Sequence, residues 1–196
     1  MFKPMRSAAV TSLLIAAIAC SASAMLLFPG RVHATAASDS NDPTLERDSF
    51  AALNALYASE PKAKQIGAKS RAILVFPGIV KAGLMVGGLE GNGVLIEQGK
   101  VTAKYNISAA SFGLQAGAQK FSQVMFLAND QSLAYLNKSS GWSVGVGPSV
   151  VVVDSGTAKS MTTDNLNSDV YVFIFGQKGL MGGLGVQGQK ITRTSH

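Results

Sequence analysis

Apolar residues follow three regimes along this chain. A long apolar run comes first, from Ala8 to Phe28, relieved only by Thr11, Ser12, Ser21 and Ser23. Helical spacing follows. Leu45, Ser49, Leu53 and Leu56, with Phe50 and Tyr57 beside them, fall on one stripe of a helix that starts at Asp42-Pro43. Asp42 can cap free backbone N–H groups, and Pro43 has its φ preset for a first helical turn. Ser59-Glu60-Pro61 ends this helix and starts a second, which carries Lys62, Lys64, Lys69 and Arg71 around Ala63, Ile66 and Ala68. From Ala72 the pattern becomes that of strands. Ile73–Phe76, Gly83–Leu89 and Val94–Glu97 read as strands, the last closed by a turn at Gln98-Gly99-Lys100. Val101, Ala103, Tyr105 and Ile107 then alternate with Thr102, Lys104, Asn106 and Ser108, the mark of a half-buried antiparallel strand. Val124–Leu127, Val150–Val153 and Val170–Phe175 are apolar on both faces. Asp130–Asn137 reads as a short helix with Asn129 as its cap and Leu133 and Leu136 inward. The expected fold is α+β: N-terminal helices, then a glycine-rich, mainly antiparallel β core of the curved or barrel-like kind.

Glycine supports the curvature. The chain has 21 glycines among 196 residues. Gly83-Leu-Met-Val-Gly-Gly-Leu-Glu-Gly91 is echoed by the run from Gly179 to Gly188, and each copy follows a lysine, Lys81 or Lys178. Two such glycine-rich strands suit close packing or a bend in a closed sheet.

The N-terminal apolar run reads as an export signal over residues 1–36. Lys3 and Arg6 form its positive end, Pro29-Gly30 breaks its helix, and small residues place cleavage near Ala34 or Ala36. Ala22-Ser23-Ala24 offers an earlier site. Leu14–Cys20 loosely resembles a lipobox, which makes Cys20 a candidate for lipidation, though Ala17 and the apolar sequence after Cys20 favour simple cleavage. An uncleaved anchor is the third option. Residues 37–44 are small and polar, a tether ahead of a domain spanning 45–196. The protein is expected to be exported: periplasmic or outer-membrane associated, secreted, or a lipoprotein.

Charge narrows the partners. Of 17 basic residues three lie in 1–36, leaving 14 against 11 acidic ones in the remainder. That mild excess does not point to nucleic acid. It is concentrated, however. Lys62, Lys64, Lys69, Arg71 and Lys81 form a run without an intervening acid. Beside an amphipathic helix such a run can dock on anionic lipid, each surface cation contributing about 1 kcal/mol; a solvated helix face is the plain alternative. Trp142 fits either an interfacial anchor or a core plug.

Catalysis finds little to work with. The two histidines are His33, in the export segment, and His196; the one cysteine is Cys20. Ser-His-Asp and Cys-His chemistry and the usual zinc sites are therefore not expected. Gly183-Leu-Gly-Val-Gln-Gly188 matches a dinucleotide-binding string, but too little chain follows for the helix that would receive the pyrophosphate. Asp164–Asp169 is rich in oxygen ligands yet lacks the spacing of a calcium loop, and reads as a polar connection. No cofactor, metal or catalytic residue is expected.

The order of motifs resembles the SYLF domain family. Ala72–Pro77, Ile79–Gly88 and Gly91–Leu95 come first, then Ser111–Gly117 with its central Gly-Leu-Gln-x-Gly, then Lys178–Gly183 with Gln187-Gly188. The resemblance runs from about Leu45 to the C-terminus. Where many members have a Trp-Ser-Pro segment this chain reads Thr102–Asn106, closer to an exported bacterial branch that shares Gly147-Pro148-Ser149 and the Val150–Val153 run. The resemblance implies phospholipid or phosphoinositide binding and, in fungal relatives, actin binding; for an exported bacterial chain actin is not the expected partner. The resulting expectation is an exported, non-enzymatic protein that docks on anionic phospholipid membranes through Lys62, Lys64, Lys69, Arg71 and Lys81. The alternative is a structural or partner-binding envelope protein with incidental lipid association. Oligomeric state is left open.

Overall fold

A computed structural model describes residues 43–138, 141–153, 167–179 and 188–195. Helices α1 (Pro43–Ser59) and α2 (Pro61–Lys69) come first. Each begins on a proline, whose missing N–H belongs among the unbonded donors of a first turn anyway. Two very long strands follow, β1 (Ala72–Glu97) and β2 (Lys100–Leu127), joined by the turn at Gln98-Gly99. They are longer than the sequence suggests. Three separate segments of hydrophobic pattern merge into β1, because bulges absorb the irregular stretches between Phe76 and Ile79 and between Leu84 and Val86. Helix α3 (Asp130–Leu136) is capped as its sequence implies, the Asn129 side chain accepting from the Ser132 N–H at 2.8 Å. Strands β3 (Trp142–Ser143), β4 (Val150–Val153), β5 (Val170–Gly179) and β6 (Lys190–Ser195) complete a six-stranded sheet among the described residues. Its pairings are antiparallel except β4 with β5, which run parallel. The α+β architecture with a curved sheet matches the expectation.

The curvature comes from β1 folding back on itself. In an extended strand residues four apart stand about 13 Å from one another. Here a Cβ placed on Gly83 would fall 2.4 Å from the Gly87 Cα, so the strand bends sharply over Leu84-Met85-Val86. The two halves then press together. A Cβ on Gly91 would lie 3.1 Å from the Ile79 Cα, and one on Gly93 only 2.4 Å from the Val75 carbonyl oxygen.

This fold-back creates two cores. Inside it, Leu74, Phe76, Ile79, Leu95, Tyr105, Ile107, Phe121 and Met125 close around Trp142, Leu136 and Ile191. Outside it, Val75, Val94, Ile96, Val124, Phe126 and Phe173 meet Leu53 and Leu56 of α1 and Ala63 and Ile66 of α2. Phe126 joins helices to sheet, stacked on Tyr57 at 6.3 Å and edge-on to Phe173 at 5.6 Å. Trp142 is a core plug, not an interfacial anchor: it is fully buried and its Nε1–H donates to the Val146 carbonyl at 3.1 Å. The alternation in β2 holds for the buried positions Ala103, Tyr105 and Ile107. It fails at Lys104, which is only 8% exposed because α1 lies over it, with Glu46 at 3.9 Å.

Asp169 ties three connections together. Its carboxylate accepts from Asn129 Nδ2 at 2.7 Å and from the Ser149 N–H and Oγ–H at 2.8 Å each. Of the polar connection foreseen over 164–169, residues 164–166 lie outside the described residues, and Asp169 serves as this latch. The Asn129 bond, then the two from Ser149, hold its pKa below the ordinary 3.8. A depressed carboxylate stabilises the fold above its unfolded pKa, and that contribution disappears as pH falls through the folded value. Asp169→Asn should therefore lower stability by about 1 kcal/mol at neutral pH, the modest figure reflecting a solvent-screened site. The gap from wild type should close below about pH 4. Thermal melts across pH read this directly, and a gap that stayed constant into acid would contradict the latch.

Candidate functional site

The structure divides the cations expected to act together. Lys62 and Lys69 are seven residues apart on α2 and so lie within about 20° of one another, while Lys64 lies on the opposite side. Lys62 is half-buried and its Nζ donates to Gln65 Oε1 at 3.2 Å; Lys64 and Lys69 are exposed. Arg71, in the α2–β1 connection, is engaged by Asp130, with Nε 2.6 Å from Oδ1. It also borders a cleft of about 520 Å³ between the helices and the β1–β2 turn, where burial raises the pKa of Tyr57. Lys81 is ten residues further along β1, on the order of 30 Å along the strand, half-buried opposite Gln119. These five do not form one patch. Cys20 lies outside the described residues.

A different group of side chains does converge. At the bend of the folded ribbon Leu84 is 74% and Val86 60% exposed, and Val80 nearby is 50% exposed. These large apolar side chains face outward because the bend carries them past the end of both cores. The register then sets a basic row beside them. Val80 stands opposite Lys120 on β2, and Lys120 opposite Lys178 on β5. Two residues on, Ala82 pairs with Ala118, both exposed, and two further on comes Leu84. Since successive residues of a strand alternate faces, Val80, Ala82 and Leu84 share one face with Lys120, Ala118 and Lys178. The result is a strip that runs from cations to hydrocarbon. Lys81 points to the other face, beside the buried Gln119.

Sequence periodicity missed Lys120 and Lys178 as a pair because they are neighbours only through β2–β5 pairing. One signal was present: each glycine-rich echo follows a lysine, and Lys178 is the second of these. Among the described residues no three His, Cys, Asp or Glu side chains group for a cation, and no helix is long and apolar enough to cross a membrane.

Residues 108–196 match the Ysc84 family, described as Las17-binding protein actin regulator. Over that span, a little under half of the chain, the sequence is similar to the Ysc84, or SYLF, domain, consistent with the resemblance seen in its motifs. No curated protein matches the chain. The Ysc84 span contains β2 from Ser108 onward, α3 and β3 to β6, and so holds both Lys120 and Lys178. The helices and β1 precede it, so Val80, Leu84 and Val86 come from outside the matched span. The amphiphilic strip is assembled across that boundary.

Proposed function

We propose that this is an exported, non-enzymatic lipid-binding protein that docks on anionic phospholipid membranes. The observation that carries the reading is the ribbon bend, where Leu84 and Val86 are exposed and Val80 and Leu84 lie on a strip that begins at two lysines. Exposed apolar groups rimmed by charge are the mark of an interaction surface. A basic apolar surface suits the interface of an anionic bilayer, where burial of hydrocarbon and attraction to lipid charge add. Association of the Ysc84 family with lipid supports the same class of ligand. Export is supported by the reading of residues 1–36, and the non-enzymatic character by the confinement of His and Cys to positions 20, 33 and 196. Lys62, Lys64 and Lys69 then contribute long-range attraction, and the bend makes the apolar contact.

Flotation with anionic and neutral vesicles tests this. The chain should rise with phosphatidylcholine vesicles doped with anionic phospholipid and not with phosphatidylcholine alone at moderate salt. Leu84→Ser with Val86→Ser should weaken that binding on the order of tenfold or more, since a fully buried Leu or Val side chain is worth about 1.5–3 kcal/mol. The emission of Trp142, buried in the core, should not move on binding. Equal recovery with neutral and anionic vesicles would sink the reading. It would favour the second one, a partner-binding envelope protein, for which the description of the family as a Las17-binding actin regulator is the supporting observation.

A further inference from the structure

We infer that Lys120 and Lys178 form a seat for a lipid phosphate at the rim of the cleft between α1 and the β2–β5 pair. The inference rests on the membrane-docking reading and says which atoms of the lipid are gripped and how the protein is oriented.

Lys120 and Lys178 are directly opposite residues of an antiparallel pair. Their Cβ atoms therefore stand about 5 Å apart, a placement that is destabilising for like charges. No acidic side chain forms an ion pair with either among the described residues. The register that creates the conflict is built in. A Cβ on Gly179, whose φ is +116°, would fall 2.3 Å from the Ala118 carbonyl oxygen, so β5 can lie this close to β2 only because that residue is glycine. On the other flank the β1 bulge is tied down by Ser122 Oγ, which donates to the Pro77 carbonyl at 2.8 Å. The Lys120 stem crosses this bulge, where a Cβ on Gly78 would come 2.8 Å from its Cε. Both lysines also line one cleft, so their flexible stems let both ammonium groups reach a single anion at its rim. Lysine binds phosphate as a point charge, and a phosphate monoester, with close to two charges over three oxygens, can meet two ammonium groups where a carboxylate offers one charge and two oxygens.

The surroundings fit a lipid. The cleft holds about 480 Å³ and is walled by Ala51, Ala52 and Ala55 of α1 and by Phe175, a small-residue helix face over an aromatic floor. The one acid among its described lining residues, Asp48, is engaged by Arg47 at 2.9 Å. From the lysine row the strip continues for two rows to Leu84, about 13 Å along the strand. The polar zone of each leaflet is about 5–8 Å deep. With the lysines at the level of the phosphates, Leu84 and Val86 reach the hydrocarbon. The protein therefore stands tip-first on the bilayer.

The test compares vesicle chemistry at fixed charge. Phosphatidylcholine vesicles containing phosphatidic acid are set against ones containing oleate, matched in surface potential. The full chain should prefer phosphatidic acid. Lys120→Gln with Lys178→Gln should lose that preference and bind at least tenfold more weakly, while its melting temperature stays level or rises as the repulsion is relieved. Lys62→Gln, Lys64→Gln and Lys69→Gln together remove more charge yet should keep the preference. Should the double variant fold poorly, Lys120→Arg with Lys178→Arg keeps the charges and should bind phosphatidic acid vesicles within a few-fold of wild type. Equal binding of both vesicle types by the wild-type chain, or a preference that survives the double glutamine variant, would overturn the seat and leave membrane docking standing. Failure to bind either vesicle would remove the docking reading itself.

Discussion

Gly93→Ala should destabilise the protein by about 3 kcal/mol or more, a large part of the margin of a domain this size. The added methyl would sit 2.4 Å from the Val75 carbonyl oxygen and 2.5 Å from Phe76 Cδ1. The obstacle is backbone, so no rotamer change relieves it. Either the second half of β1 lifts away from the first, opening the inner core around Phe76, or the hairpin loses its register. Gly88→Ala is the matched control on the same strand. Its Cβ would meet nothing closer than the Ala109 carbonyl oxygen at 3.8 Å. It should cost nothing, or stabilise by a few tenths of a kcal/mol through a less flexible unfolded chain. Urea titrations of the two variants give the comparison. Similar midpoints would show that the two halves of β1 do not press together at Gly93.

Trp142→Ala should cost about 3–5 kcal/mol. The indole is fully buried at the centre of the inner cluster and packs edge-on to Tyr135 at 6.4 Å. Its Nε1–H bond to Val146 holds the turn after β3 in place. Truncation leaves a large cavity between β2, β6 and α3 and leaves the Val146 carbonyl without that donor. Loss should appear first in β3, which has only two residues paired to β6. Circular dichroism is the suitable probe, since this is the only tryptophan in the chain. Trp142→Phe should recover much of the loss by refilling the volume without the hydrogen bond. If alanine at this position leaves the denaturation midpoint near wild type, the indole does not occupy the centre of a packed core.

Much of the local structure was legible because its causes are local. Pro43 and Pro61 start helices through their own φ, and Asn129 caps α3 through a bond three residues away. The stripe of Ser49, Leu53 and Leu56 needs only the helical repeat to predict which face is buried. Alternation along Val101–Ile107 likewise marks a strand with one face inward. Lys104 broke that pattern, because whether the outward face is covered depends on where α1 comes to lie.

The candidate site shows the other side. The run Lys62–Lys81 is conspicuous as a string, but a helical turn places Lys64 opposite Lys62, and the β1 strand carries Lys81 far from both. Proximity along the chain did not become proximity in space. Lys120 and Lys178 are separated by α3, β3 and β4, and neither stands in a basic run. Only pairing between distant strands makes them neighbours.

What the sequence by itself determined is therefore the kind of element at each stretch, the family that residues 108–196 resemble, and the scarcity of catalytic side chains. These follow from short-range sterics, from periodicity and from composition, all of which are properties of a string. Tertiary structure alone decided that β1 doubles back at Gly83–Gly87, that Leu84 and Val86 are thereby left bare, and that two lysines face each other beside them. Those outcomes depend on strand register and on the close approach of backbones. Each is set by contacts between residues far apart in the chain, and no local pattern encodes the distance between them.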